Sequence, residues 1–143
     1  MRLVWAMLLL GVASCDGGGT HRGDWVITGF RMPGYHAISR SEAQQYVGRR
    51  IHLGTPAVSH EERCEMPRFT TRRVLAQPFA AEEYGLDATH FGVSLRDSID
   101  VLEVECDGNR WSALGGRVLF VSADKGYAPW DGVFFTIQPA KDR

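Results

Sequence analysis

A small antiparallel up-and-down β-barrel, mainly β with one or two short helices, is the fold that this sequence predicts. Three observations point to it. Short runs of β-branched and aromatic residues recur along the chain, separated by Gly, Pro and Asp turn signals. Several of these runs alternate apolar and polar residues, the period of a half-buried strand. Late in the chain, Asp107-Gly108, Asp124-Lys125-Gly126 and Asp131-Gly132 follow one another closely, as the turns of a meander would. Closing such a meander into a barrel also removes exposed strand edges. The length suits one domain, placed at residues 23–143.

The elements are expected as follows. Asp24 to Arg31 is rich in aromatic and β-branched residues and reads as the first strand, ended by Met32-Pro33-Gly34. Ser39 and Glu42 stand three apart, the spacing of a capping box, ahead of a short helix through Val47 that Gly48 can stop. Arg49 to Leu53 is a second strand with Ile51 and Leu53 on one face. Gly54 to Pro67 is polar, holds two prolines and is expected to be a long loop carrying Cys64. Arg68 to Leu75 is a third strand. Pro78 to Leu86 reads as a second short helix, with Pro78 in its first turn and Gly85 at its C-terminal cap. Further strands are expected at Ser98–Cys106, Arg117–Ser122, Tyr127–Trp130 and Val133–Ile137. Alternation in the last of these sends Phe134 and Phe135 to opposite faces, so one faces the core and the other solvent, a second layer or a cavity.

The first fifteen residues have a different character. Arg2 precedes an apolar run, Leu3 to Ala13, which is too short to span a bilayer and has the layout of a secretory signal. Val12-Ala13-Ser14-Cys15 resembles the lipobox of bacterial lipoproteins. The resemblance implies that residues 1–14 are a signal peptide, removed before Cys15. It further implies a diacylglycerol on the Cys15 thiol and a palmitate-type acyl chain, so that several chains hold the protein to a membrane of the cell envelope. The domain would then face the periplasm, with inner and outer membrane both open. Residues 15–22 contain Gly17-Gly18-Gly19 and are expected to be a lipidated flexible tether.

The opening of the first strand, Gly23-Asp24-Trp25, looks like the Gly-x-Trp signature of lipocalins and related calycin barrels. That resemblance implies a lipocalin-like barrel whose Trp25 closes one end beneath a basic residue from the last strand, with Lys141 or Arg143 as candidates.

Beyond Cys15, two cysteines remain, Cys64 and Cys106. An even pair in an exported chain suggests one disulfide. Two buried thiols, or a metal site using His60 one helical turn before Cys64, are the alternatives. Zinc needs a closed shell of four ligands, and no second Cys-x-x-Cys or His pair supplies it.

Lys and Arg total 16 against 17 for Asp and Glu, and loss of Arg2 with the signal leaves 15 against 17. Such a balance argues against a nucleic-acid binder, which needs a basic excess. His60-Glu61-Glu62-Arg63-Cys64 begins like a His-Glu-x-x-His zinc motif, but a cysteine stands where the second histidine would. Neither Gly-x-Ser-x-Gly nor a phosphate-cradling glycine loop occurs. Glu103 and Glu105 share a strand face and read as a solvated face before they read as paired catalytic acids. Arg68, Arg72 and Arg73, with Arg49 and Arg50, form a candidate basic surface. Trp130 precedes a turn and is a candidate exposed aromatic on a binding surface.

The resulting expectation is a non-enzymatic, cofactor-free binding protein, held to the membrane through lipid on Cys15. Its partner is either a small apolar ligand in the barrel or another envelope protein. A second expectation is an inhibitor or immunity-type protein of a cell-wall hydrolase, projecting a loop such as Gly54 to Pro67. An enzyme would need His52, His60 or His90 in a cleft beside a carboxylate.

Overall fold

A computed structural model describes residues 21–60 and 62–141. Cys15 and the rest of residues 1–20, together with Glu61 and Arg143, lie outside the described residues. The chain is mainly β. Ten strands form one antiparallel sheet: β1 (Gly23–Arg31), β2 (Arg50–Leu53), β3 (Ala57–Ser59), β4 (Glu62–Cys64), β5 (Arg68–Leu75), β6 (Ser98–Cys106), β7 (Asn109–Arg110), β8 (Arg117–Ser122), β9 (Lys125–Trp130) and β10 (Val133–Pro139). Two helices, α1 (Arg40–Gln44) and α2 (Ala76–Tyr84), and a 3₁₀ turn at Ala88–Phe91 complete it.

Spatial order in the sheet is β4-β3-β2-β1-β10-β9-β8-β6-β5, with β7 paired to β6. This is the expected up-and-down meander, joined across its middle by the pairing of β1 with β10. Among the described residues no ladder joins β4 to β5, so the sheet is a half-barrel. A Cys64–Cys106 disulfide, with a Cα–Cα distance of 5.9 Å, links β4 to the end of β6. Covalent bonding therefore holds the side of the barrel that backbone pairing leaves open.

Alternation along the strands builds two cores. The concave face carries Trp25, Ile27, Ile51, Leu53, Leu102, Val104, Val118, Phe120, Phe135 and Ile137, all buried. The convex face carries Ile99, Val101, Leu119, Tyr127 and Phe134, which α2 and the 3₁₀ turn cover with Phe79, Ala80 and Phe91. Phe135 thus faces the barrel interior and Phe134 a second layer.

Most expected elements are present. Ser39 caps α1 and makes both bonds of the capping box with Glu42. Gly85 ends α2 at φ 63°, in the left-handed region. The segment Gly54 to Pro67 departs from expectation. Instead of a long loop, it contains β3 and β4, which extend the sheet beyond β2. Strands of three residues leave too little alternation to read, and the polar positions on β4 face solvent on an edge. The two-residue strand β7 and the 3₁₀ turn were likewise not expected.

Candidate binding site at the open end

The two ends of the half-barrel differ. At one end the chain enters through His21, which is 4% exposed. Its ring stacks on Phe120 at 3.9 Å, and its Nε2 lies 3.1 Å from Asp100 Oδ2. Arg73 Nη1 reaches the other oxygen of Asp100 at 3.3 Å. Trp25 Nε1 donates to the His21 carbonyl at 3.0 Å, and the Arg22 guanidinium lies 3.8 Å over the Phe69 ring. His21 and Arg22, which the sequence assigns to the tether, thus pack into this end and plug it. Trp25 is buried at this end, where the calycin resemblance expects a basic residue of the last strand over it. Its neighbours are His21 and Phe120, however, and Lys141 is exposed.

At the opposite end, the β1–β2 connection, the β3–β4 turn, the β6–β8 connection and the β9–β10 hairpin come together. Strand β1 pairs with β10 from Trp25↔Pro139 to Arg31↔Phe134, so the chain's entry and the β9–β10 hairpin lie at opposite ends of the same strands. At ~3.3 Å per residue, that separation is roughly 25 Å.

Two clefts open here. The larger, about 520 Å³, is lined by Tyr35, Glu83, Tyr84, Arg110, Trp111, Arg117, Trp130 and Asp131 among others. The smaller, about 230 Å³, is lined by Tyr46, Arg49, Arg50, Ser59, His60 and Glu62 among others. Ser112, Ala113 and Trp130 line both and form the saddle between them.

Each wall has a local cause. Trp130 ends β9, half-buried, and meets Tyr46 edge-on at 5.4 Å. Tyr46 is braced against the core by Phe135 at 5.3 Å, and the Arg49 guanidinium lies 4.6 Å over its ring. The saddle folds back on the sheet because Trp111 N donates to Val104 O at 2.8 Å and Gly116 N to Ala113 O at 2.9 Å. A Cβ on Gly116 would lie 2.0 Å from the Trp111 carbonyl oxygen, so only glycine fits there. The loop carrying Tyr35 is held over the hairpin by Ala37 N donating to Asp131 O at 2.8 Å. Gly132 sits beneath it at φ +80°, where a Cβ would come 2.1 Å from Tyr35 O.

The back of the larger cleft is an ion-pair clamp. Arg117 donates through Nε to Glu103 Oε1 at 3.0 Å, and through Nη1 to Glu83 Oε2 at 3.0 Å and the Tyr84 hydroxyl at 3.3 Å. Burial alone would favour neutral arginine, but these bonds outweigh it and hold the guanidinium more firmly charged than usual. Burial pushes the Tyr84 phenol up, against the opposing pull of Arg117.

The residues singled out by sequence part company. Trp130 lies at the centre of the site. Arg68 and Arg72 lie on β5, three strand positions from β9 in the sheet, and neither lines a cleft. Arg68 is 4.0 Å from Glu105, and Arg72 sits over Phe79 at 5.4 Å. Arg49 and Arg50 reach the smaller cleft without β5, so the five arginines do not form one surface. Glu103 and Glu105 each face an arginine, Arg117 and Arg68 respectively. His52 stands on the convex face with Nδ1 2.7 Å from Asp24 Oδ1, outside both clefts, while His60 lines the smaller one. Among the described residues no group of three His, Cys, Asp or Glu is placed to hold a metal. Sequence reasoning missed Tyr35, Tyr46, Arg110 and Arg117, whose roles depend on contacts across strands.

The fold and site define a class: a disulfide-linked, two-layered half-barrel with one plugged end and an aromatic, arginine-rich cleft pair at the other. The chain matches no protein-family model, no curated protein and no solved structure.

Proposed function

We propose that the protein is a membrane-anchored lipoprotein of the cell envelope with a non-enzymatic binding role, and that it binds an envelope component at its open end. The observation that carries this reading is the placement of the clefts at the end opposite the chain's entry. A domain tethered through Cys15 would present Trp130 and Tyr35 away from the membrane. The disulfide supports an oxidising compartment such as the periplasm. The concave core is filled by Trp25, Phe120 and Phe135, which speaks against an apolar ligand held inside the barrel and for a partner met at the rim.

The inhibitor reading keeps one supporting observation. Tyr35 is 92% exposed on a loop braced from below, a shape suited to entering a partner's cleft. Gly54 to Pro67 offers less of such a loop, because β3 and β4 tie two stretches of it into the sheet.

Expression in a bacterium, with intact mass of the membrane fraction, tests the anchor. Loss of residues 1–14 with gain of acyl groups is expected, and Cys15→Ser should lose both. A soluble, unacylated wild type would sink the anchored reading. Photocrosslinking from position 35, compared with position 68 on β5, tests the surface. Capture of an envelope component from 35 alone is expected, and capture from 68 alone would count against the open end.

A further inference from the structure

Charge is unevenly balanced around the saddle. Arg117 and Arg63 each pair with a carboxylate. Arg49, Arg50 and Arg110 flank the two clefts and make no ion pair among the described residues. Arg49 is one aromatic ring away from Trp130, stacked on the Tyr46 that Trp130 touches. In the larger cleft, Arg117 is already neutralised by Glu83 and Glu103, and the aromatic residues Tyr35, Tyr84 and Trp130 stand beside hydrogen-bonding groups. Its volume of about 520 Å³ falls within the range of small-molecule sites.

An aromatic face bordered by donors and acceptors suits a pyranose ring, whose C–H face is apolar and whose edge is polar. Guanidiniums that make no ion pair among the described residues suit a carboxylate, which they bind through two parallel N–H donors. We propose that the open end binds an acidic saccharide, with a sugar ring against Trp130 in the larger cleft and its carboxylate turned over the saddle toward Arg49 and Arg50. This inference rests on the open end being the binding surface. A muramic acid and a uronic acid are two sources of that carboxylate.

The test is saturable quenching of tryptophan fluorescence in the mature chain, purified from membranes in detergent. The probes are an N-acetylglucosaminyl–N-acetylmuramic acid disaccharide, a uronic-acid disaccharide and neutral N,N′-diacetylchitobiose. At least one acidic disaccharide should bind roughly tenfold more tightly than the neutral one, with an advantage that added salt reduces. Whichever acidic sugar binds identifies the source. The double variant Arg49→Gln/Arg50→Gln should erase the acidic preference, bringing acidic and neutral disaccharides to the same affinity. Trp130→Phe should weaken all three. Equal affinity for neutral and acidic sugars, or no saturable quenching up to ~10 mM, overturns the proposal. Failure here with crosslinking still captured from position 35 would remove the saccharide and leave the open end as the binding surface.

Discussion

Gly116 shows how much of the open end depends on single residues. Its neighbour Gly115 lies at φ +101°, but Gly116 is constrained by space, since the Trp111 carbonyl occupies the position of its missing Cβ. Gly116→Ala should destabilise the fold by about 1–3 kcal/mol, as overpacking does, and should shift the saddle. Urea denaturation followed by Trp fluorescence would measure it, and an unchanged midpoint would refute the close approach. The Cys64–Cys106 bond closes 42 residues of sequence separation. Cys64→Ser/Cys106→Ser should cost roughly 4 kcal/mol on the chain-entropy account. The sequence permits this bond through the parity of two cysteines, but parity alone also permits thiols or a metal. The pairing is set by β3 and β4, which place Cys64 beside the end of β6. Trp130 was legible as an aromatic before a turn. Arg117 was not, because its three partners come from α2 and β6 and share no local pattern with it.

At the scale of the element, local chemistry was most readable where it is self-contained. The Ser39–Glu42 box needs four residues and is formed as spaced: Glu42 N donates to Ser39 Oγ at 3.2 Å and Ser39 N to Glu42 Oε2 at 2.6 Å. The backbone and side chain of Ser39 hold the Glu42 carboxyl below its ordinary value. A depressed carboxyl contributes stability above the ordinary pKa, and that contribution is lost as pH falls through the lowered one. Asp87, held down by the Thr89 backbone and hydroxyl, acts in the same direction. Stability should therefore decline on acidification below about pH 4.5, and Glu42→Gln should blunt the decline. An identical acid titration for the variant would show that the box contributes nothing. Ser39→Ala should cost about 1 kcal/mol at neutral pH. The short strands β3, β4 and β7 escaped the sequence because they exist only through neighbours, with too few residues to establish a period of two.

For the whole molecule, the predicted meander and helix count hold, and the main addition is the second layer. Phe134 and Phe135 announced two faces, yet nothing local showed that α2 would cover the convex one. That cover is riveted by Arg117, whose removal leaves Glu83, Glu103 and Tyr84 without their shared cation. Arg117→Met should cost on the order of 2 kcal/mol, less than for a fully buried pair because the glutamates are partly exposed. Above pH ~10 the raised Tyr84 phenol works the same way: unfolded chains release that proton first, so stability falls until the folded phenol ionises. A pH series of chemical denaturation curves for wild type and Tyr84→Phe would reveal both effects, with the alkaline loss smaller in the variant.

The pairing of β1 with β10 has a consequence for the making of the molecule. Strands β1 and β10 stand at opposite ends of the strand order along the chain, so β1 gains its central neighbour only through a long-range pairing, the slow kind. Until then β1 has only the four-residue β2 beside it, with its other edge bare. A variant lacking β10 would keep that edge bare, whereas pairing with β10 covers it. Joining these two distant strands thus makes closure of the middle of the sheet a long-range step of folding.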